Sequence, residues 1–259
     1  MPGATVPQLD RWGRDPSDLT TNAVLEAAYR SWFRVEWEGL EHVPAEGGAL
    51  LVSNHAGLMP IDGGIIQHGI QVETGRLVYS LAHHGFFRFP FVGRILRRMG
   101  SVVAHPDNAH RLLREDGRLV LVFPEGEKGP VKPKGDRYRL QRFGRGGFVE
   151  TAMCAGVPIV PIALMGTEDV TPTIANLEFA GQRAPFTLNM LLFGPIVGLI
   201  AYFPVKIRAR VLPRVHFDEV PEQSTLSRSL LMDHAEAIRS DMQVTLDEMY
   251  AARKSKWFG

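Results

Sequence analysis

Hydrophobic and polar residues change period repeatedly along the chain, and those changes predict its elements. Residues 18–32 place Leu19, Ala23, Leu25, Ala27, Ala28 and Trp32 at helical spacing, the stripe of an amphipathic helix with Ser17 or Thr20 as its cap. Residues 33–40 then alternate, Val35, Trp37 and Leu40 against Arg34, Glu36 and Glu38, as a half-buried strand does. After Gly47 and Gly48, the run Ala49-Leu50-Leu51-Val52 is apolar throughout, the mark of a strand covered on both faces. From there the pattern repeats as strand, loop, helix. It predicts strands over 77–82, 101–104, 118–123, 158–164 and 205–211, and helices over 61–70, 90–99, 106–115, 148–155 and 226–253. This order implies an α/β fold: a mostly parallel or mixed central sheet, helices on both faces, an N-terminal helix and a long C-terminal helix. Residues 1–16, with Pro2, Pro7, Gly13 and Pro16, read as an arm, and 1–259 as a single domain.

Residues 184–204 break the rhythm. No charge occurs between Arg183 and Lys206, and the stretch holds Met190-Leu191-Leu192-Phe193 and Ile196 to Phe203. The length suits a membrane span, but Pro185, Pro195, Pro204, Gly194 and Gly198 interrupt it. A span would also strand 205–211 across the membrane from its sheet. The preferred reading is a membrane-docking insertion, with Leu192, Phe193 and Ile196 entering the lipid surface. A buried hairpin is the bland alternative.

Composition narrows the class. A chain of 259 residues with 45% hydrophobic residues can bury a sizeable core, which excludes a disordered or disulfide-stapled chain. The single cysteine, Cys154, excludes an intrachain bridge and a Cys-rich zinc site, and a reducing compartment is expected. No His, Asp and Glu cluster has ligand spacing, so no metal is expected. The first 22 residues carry Asp10, Arg11, Arg14, Asp15 and Asp18 without an apolar run, so no cleaved secretion signal is expected. The net charge of +1 hides an asymmetry: 128–145 holds seven basic residues and one acid, +6, leaving −5 for the remainder. A local cationic patch on an acidic chain points to an anionic ligand and away from nucleic acid. A smaller set, Arg88, Arg94, Arg97 and Arg98, contains no acid.

Two strand ends carry candidate chemistry. The strand at 49–52 runs into Ser53-Asn54-His55, and Asp62 follows at the predicted start of a helix. Ligands of open α/β sheets bind at the carboxyl ends of strands, and a carboxylate reaching one ring nitrogen would make His55 an oriented base. On spacing alone, a structural His55 and an Asp62 that caps the helix is the simpler reading. The second strand ends in Phe123-Pro124-Glu125-Gly126-Glu127-Lys128. Its cationic continuation enters a helix through Phe143-Gly144-Arg145-Gly146-Gly147, where free N–H groups beside Arg142 and Arg145 would bind an anion. A solvated loop is the plain alternative. The glycines match neither the dinucleotide nor the P-loop pattern.

Asn54-His55 followed by Asp62, then Phe123-Pro124-Glu125-Gly126, then Val157-Pro158-Ile159-Val160-Pro161, in that order, resembles the glycerolipid acyltransferases, the family of glycerol-3-phosphate and lysophosphatidic acid acyltransferases. The resemblance covers about 35–211. It implies that His55 deprotonates the acceptor hydroxyl, that Asp62 orients it, and that Glu125, Gly126 and Lys128, with Arg142 and Arg145, serve substrate binding. Three departures stand out. Six residues separate His55 from Asp62 where four are usual, similar to monoacylglycerol acyltransferase-like bacterial proteins with Pro60 two before the Asp. The Arg expected after Gly100 is absent, with His105 in its neighbourhood. Glu127-Lys128 replaces Thr-Arg, which keeps a charge but loses the bidentate fork. The resemblance thus implies a membrane-associated O-acyltransferase at the cytoplasmic face of the membrane. It would use acyl-CoA or acyl carrier protein as co-substrate and no cofactor, with a lysophosphatidic acid-like acceptor. A neutral acceptor such as monoacylglycerol, or a non-catalytic lipid-binding protein, are the alternatives.

Overall fold

In the first buried strand, alternate residues supply two different cores, and the architecture follows from that. The computed structural model describes residues 9–15, 19–55, 61–126, 129, 132, 134–179, 182–217 and 226–259. Helix α1 (Leu19–Ala27) widens into a π-helical turn, Ala28–Trp32, before β1 (Glu36–Glu38) and β2 (Ala49–Ser53). Then come α2 (Ile61–Thr74), β3 (Val78–Ala82), α3 (His84–Phe87), α4 (Pro90–Arg98) and β4 (Ser101–Val103). Helix α5 (Pro106–His110) continues through Arg111–Glu115 into β5 (Leu119–Val122). The chain goes on through α6 (Gly147–Ala155), β6 (Ile159–Met165), α7 (Thr167–Val170), a hairpin of β7 (Thr173–Phe179) and β8 (Gln182–Thr187), and α8 (Leu188–Phe193). Strand β9 (Arg208–Val211) and helix α9 (Arg228–Ala251) complete it.

Among the described residues, seven strands form one sheet in the order β1-β9-β6-β2-β5-β3-β4. All neighbours are parallel except β6 and β9, so the sheet is mixed, as expected. Because strand side chains alternate between faces, Ala49 and Leu51 pack with Tyr29, Phe33, Ile65, Ile66 and Ile70 beneath α1 and α2. Leu50 and Val52 face the other core, with Leu112, Val149, Met242 and Leu246 from the α5 extension, α6 and α9. Each such fully buried side chain contributes about 1.5–3 kcal/mol. Helix α9 starts where Ser227 caps it, its hydroxyl accepting from Leu230 N–H at 3.2 Å.

Several expectations shift. The strand expected over 33–40 is only β1, because Gly39 turns with φ +75° and a Cβ there would lie 2.2 Å from the Val211 carbonyl. The described part of the arm, residues 9–15, is pinned down: Trp12 Nε1 donates to Asp116 at 2.8 Å, and Arg14 donates to Val78 O and Gln71, each at 2.7 Å. Hairpin β7–β8 lies outside the expected elements, and residues 184–187 of the expected insertion belong to its second strand. Among the described residues, no helix is long and apolar enough to cross a membrane. Lys206, Arg208 and Arg210 pair with Glu36, Glu38 and Glu248, which leaves them little to offer a lipid headgroup.

Candidate active site

Parallel strands β2, β3, β5 and β6 all end at one edge of the sheet, and the two motif loops emerge side by side there. Asn54 continues the β2–β6 ladder past its last strand pair: its amide donates to Leu164 O at 2.9 Å and accepts from Leu164 N–H at 2.8 Å. This fully buried side chain stands in for backbone and fixes the position of the next residue, His55. From the other side, His55 N–H donates to Glu125 Oε1 at 3.0 Å. The Phe123 ring stacks on the imidazole at 4.5 Å between centroids.

Helix α2 then brings Asp62 in its first turn, where the helix dipole favours a carboxylate. Asp62 Oδ2 lies 2.8 Å from His55 Nδ1. The Asp62 side chain is fully buried and the His55 side chain 21% exposed. The pair is therefore built on the inside and open on the outside. With Nδ1 held as a donor to Asp62, Nε2 is the nitrogen left to accept a proton.

Glu125 has a different situation. It is buried, and its second oxygen accepts from Gln141 N–H at 2.7 Å and meets Lys132 Nζ at 3.1 Å. Lys132, itself buried, reaches Glu168 at 3.3 Å. Burial pushes the Glu168 carboxyl up, against the opposing pull of Lys132 and of Tyr138 N–H. Next to it, Asp169 accepts from the Tyr138 hydroxyl at 2.6 Å and pairs with Arg253 at 2.5 Å and with Arg137. Two cations of the +6 run are thus held by buried carboxylates. Gly129 passes so close that a Cβ would sit 2.5 Å from the His55 carbonyl.

The remaining expected residues are more scattered. Gly126 is exposed in a left-handed turn, φ +57°. Arg142 and Arg145 are exposed; Arg142 adjoins the Gln141 whose N–H holds Glu125, and Gly146 beside Arg145 is pressed against Leu231 of α9. Lys128 lies outside the described residues. His83 and His105 accept from Gly85 N–H and Asp107 N–H as caps of α3 and α5. Leu192, Phe193 and Ile196 are exposed at 58, 50 and 80%. Their segment is moored at the same edge, since Asn189 donates to Val170 O and Ala201 O. Tyr202, farther along, has its hydroxyl pushed up to about 12 by burial and by the Asp62 carboxylate. Sequence reasoning missed Lys132, Glu168 and Asp169. The signal that exposed His55 was present for the last two: charge just past the carboxyl end of a buried strand.

The acyltransferase family model matches residues 34–165, from β1 to the end of β6. An uncharacterized protein of Mycobacterium tuberculosis is 35% identical over 260 residues, covering 97% of this chain and 72% of its own. The chain belongs to the glycerolipid acyltransferase family. A human protein named DGAT1/2-independent enzyme synthesizing storage lipids is 25% identical to this acyltransferase over 225 residues, 85% of this chain and 67% of that one. The crystal structure of the 1-acyl-sn-glycerophosphate acyltransferase PlsC from Thermotoga maritima shares the fold, with a TM-score of 0.57 and 22% identity, over 92% of this chain and 80% of that one.

Proposed function

We propose that this acyltransferase moves a fatty acyl group from an acyl thioester to a hydroxyl of a glycerophospholipid such as lysophosphatidic acid, at a membrane surface. The observation that carries the chemistry is the 2.8 Å contact between His55 Nδ1 and buried Asp62, with His55 partly open. His55 Nε2 takes the hydroxyl proton as the oxygen attacks the thioester carbonyl carbon. The C–S bond breaks, and the departing thiolate takes the proton from the imidazolium, which Asp62 stabilises. No acyl-enzyme is needed when an oriented base meets a reactive thioester. Glu125, with both oxygens engaged inside the protein, acts as a positioning residue for the His55 backbone. Arg142, exposed next to the Gln141 whose N–H holds Glu125, is the cation assigned to the acceptor phosphate in this reading.

A second reading, a neutral glyceride acceptor, is favoured by a specific observation: Lys132 and Arg137 are held by Glu125, Glu168 and Asp169, which thins the cationic patch. The human relative's name, with its storage lipids, points the same way. Purified protein given one labelled acyl-CoA and a panel of lysophospholipids and monoacylglycerols, read by mass spectrometry, decides between them. A product from lysophosphatidic acid, with KM raised about tenfold in Arg142→Gln at little cost in kcat, supports the first reading. Products from monoacylglycerol alone support the second, and no product with any acceptor or donor leaves a lipid-binding protein. Membrane docking through 191–200 is supported by the exposure of Leu191, Leu192, Phe193, Ile196, Val197 and Ile200.

A further inference from the structure

The smaller arginine set, Arg88, Arg94, Arg97 and Arg98, has no part in the site. It lies along α4 and the turn before it, and α4 presents three separate faces. Gly93 and Leu96 point inward: Gly93 is buried, and a Cβ on it would come within 3.3 Å of the Phe87 backbone. Phe91, Val92 and Ile95 form the next face, exposed at 75, 39 and 43%. Arg94, Arg97 and Arg98 complete the circle, all exposed. Phe86 and Phe89, at 56 and 65%, extend the apolar face toward α3. Arg97 rests over the Phe87 ring at 5.3 Å.

Two features make this surface unusual. Exposed apolar side chains are contiguous here, which marks a contact surface. Four guanidiniums also cluster here: among the described residues Arg88, Arg94, Arg97 and Arg98 have no carboxylate partner, whereas Arg137, Arg208, Arg210 and Arg253 are paired with carboxylates. An aromatic-rich apolar face flanked by unpaired cations fits the plane of a bilayer, with rings in the headgroup boundary and guanidiniums on lipid phosphates. Helix α3 begins where β3 ends, at the sheet edge where His55 stands.

We infer that α3–α4 is a second docking element, which seats the enzyme on a bilayer carrying anionic lipid. This rests on the proposed acylation of membrane lipid and adds lipid charge as a determinant. Charge complementarity selects the occupant, because each arginine at an anionic surface contributes about fivefold in partitioning.

The test is sedimentation of the full chain with sucrose-loaded vesicles, of phosphatidylcholine alone and of phosphatidylcholine with one third phosphatidylglycerol. The wild type should partition at least tenfold more strongly into the anionic vesicles, less so at high salt. Arg94→Gln/Arg98→Gln should lose about 20-fold on anionic vesicles and little on neutral ones. Phe91→Ser/Ile95→Ser should weaken both, with melting temperature unchanged because these side chains are exposed. Equal partitioning of the wild type into both vesicles, or wild-type binding by both double variants, overturns the inference. Loss of binding in Leu192→Ser/Phe193→Ser alone leaves docking through 191–200 standing and removes only α3–α4. If the wild type binds neither vesicle, membrane docking itself falls. A KM increase for acyl carrier protein in Arg94→Gln/Arg98→Gln, with vesicle binding intact, would assign the arginines to an acidic protein and overturn the lipid assignment.

Discussion

Two clusters at the same sheet edge join a carboxylate to a basic side chain, and they are built to opposite ends. In His55–Asp62, the carboxylate is sealed and the base is partly open. In Glu125–Lys132–Glu168, every side chain is less than one tenth exposed, and each charge meets a protein partner. Reaction needs one polar atom left over for substrate. Bracing needs none left over, because a buried charge without a partner costs several kcal/mol. The comparison predicts that damage to the first cluster appears in kcat and damage to the second in stability.

The largest effect should come from His55→Ala: a fall in kcat of about 10⁴-fold, with the melting temperature and circular dichroism of the wild type. A folded His55→Ala protein with substantial turnover would remove the distinction between the clusters. Lys132→Met should come next. It leaves Glu125 and Glu168 buried together without their cation and should cost about 3–5 kcal/mol, seen as a denaturation midpoint shift. Adding Glu168→Gln should recover part of that loss. If Lys132→Met instead keeps its stability and loses only kcat, Lys132 belongs with the reacting group.

Asp62→Asn should lower kcat by about 10²-fold, since an amide can hold the ring but cannot stabilise the imidazolium. The smallest effect concerns pH. The folded Glu168 carboxyl ionises above its ordinary value, so the native state holds a proton that the unfolded chain has already released. By linkage, stability falls as pH rises from the ordinary glutamate value through the raised one. Glu168→Gln should lack that decline, so the wild-type melting temperature should fall relative to the variant's as pH rises through this window. A difference independent of pH would mean that the brace carries Glu168 as easily charged as neutral.

Much of the scaffold was legible along the chain. The runs at 49–52, 118–123 and 158–164 became β2, β5 and β6, because a strand covered on both faces must be apolar at every position. His55 and Asp62 were legible from motif order, and the structure brings them together. The brace was harder to read. Lys132 and Arg137 count as +2 of a cationic patch in a sum of charges, and only their contacts with Glu125, Glu168 and Asp169 show that they are engaged. Hairpin β7–β8 carried a local signal too, since Ala175, Leu177 and Phe179 alternate with Asn176 and Glu178, but a strand outside the central sheet does not follow from the strand–loop–helix rhythm.

The order of side chains along the chain sets the periods, and with them most of the strand and helix segments and which strand ends carry charge. These are local properties, set by side-chain alternation and backbone preference over a few residues. Tertiary structure alone decided which charges remain available. Pairing across 36 positions, as between Lys132 and Glu168, or 84, as between Arg253 and Asp169, depends on how β6, α7 and α9 converge. It also decided that the apolar segment 191–200 and the arginines of α4 face outward. Exposure depends on what the rest of the chain covers, and no short window of sequence contains that information.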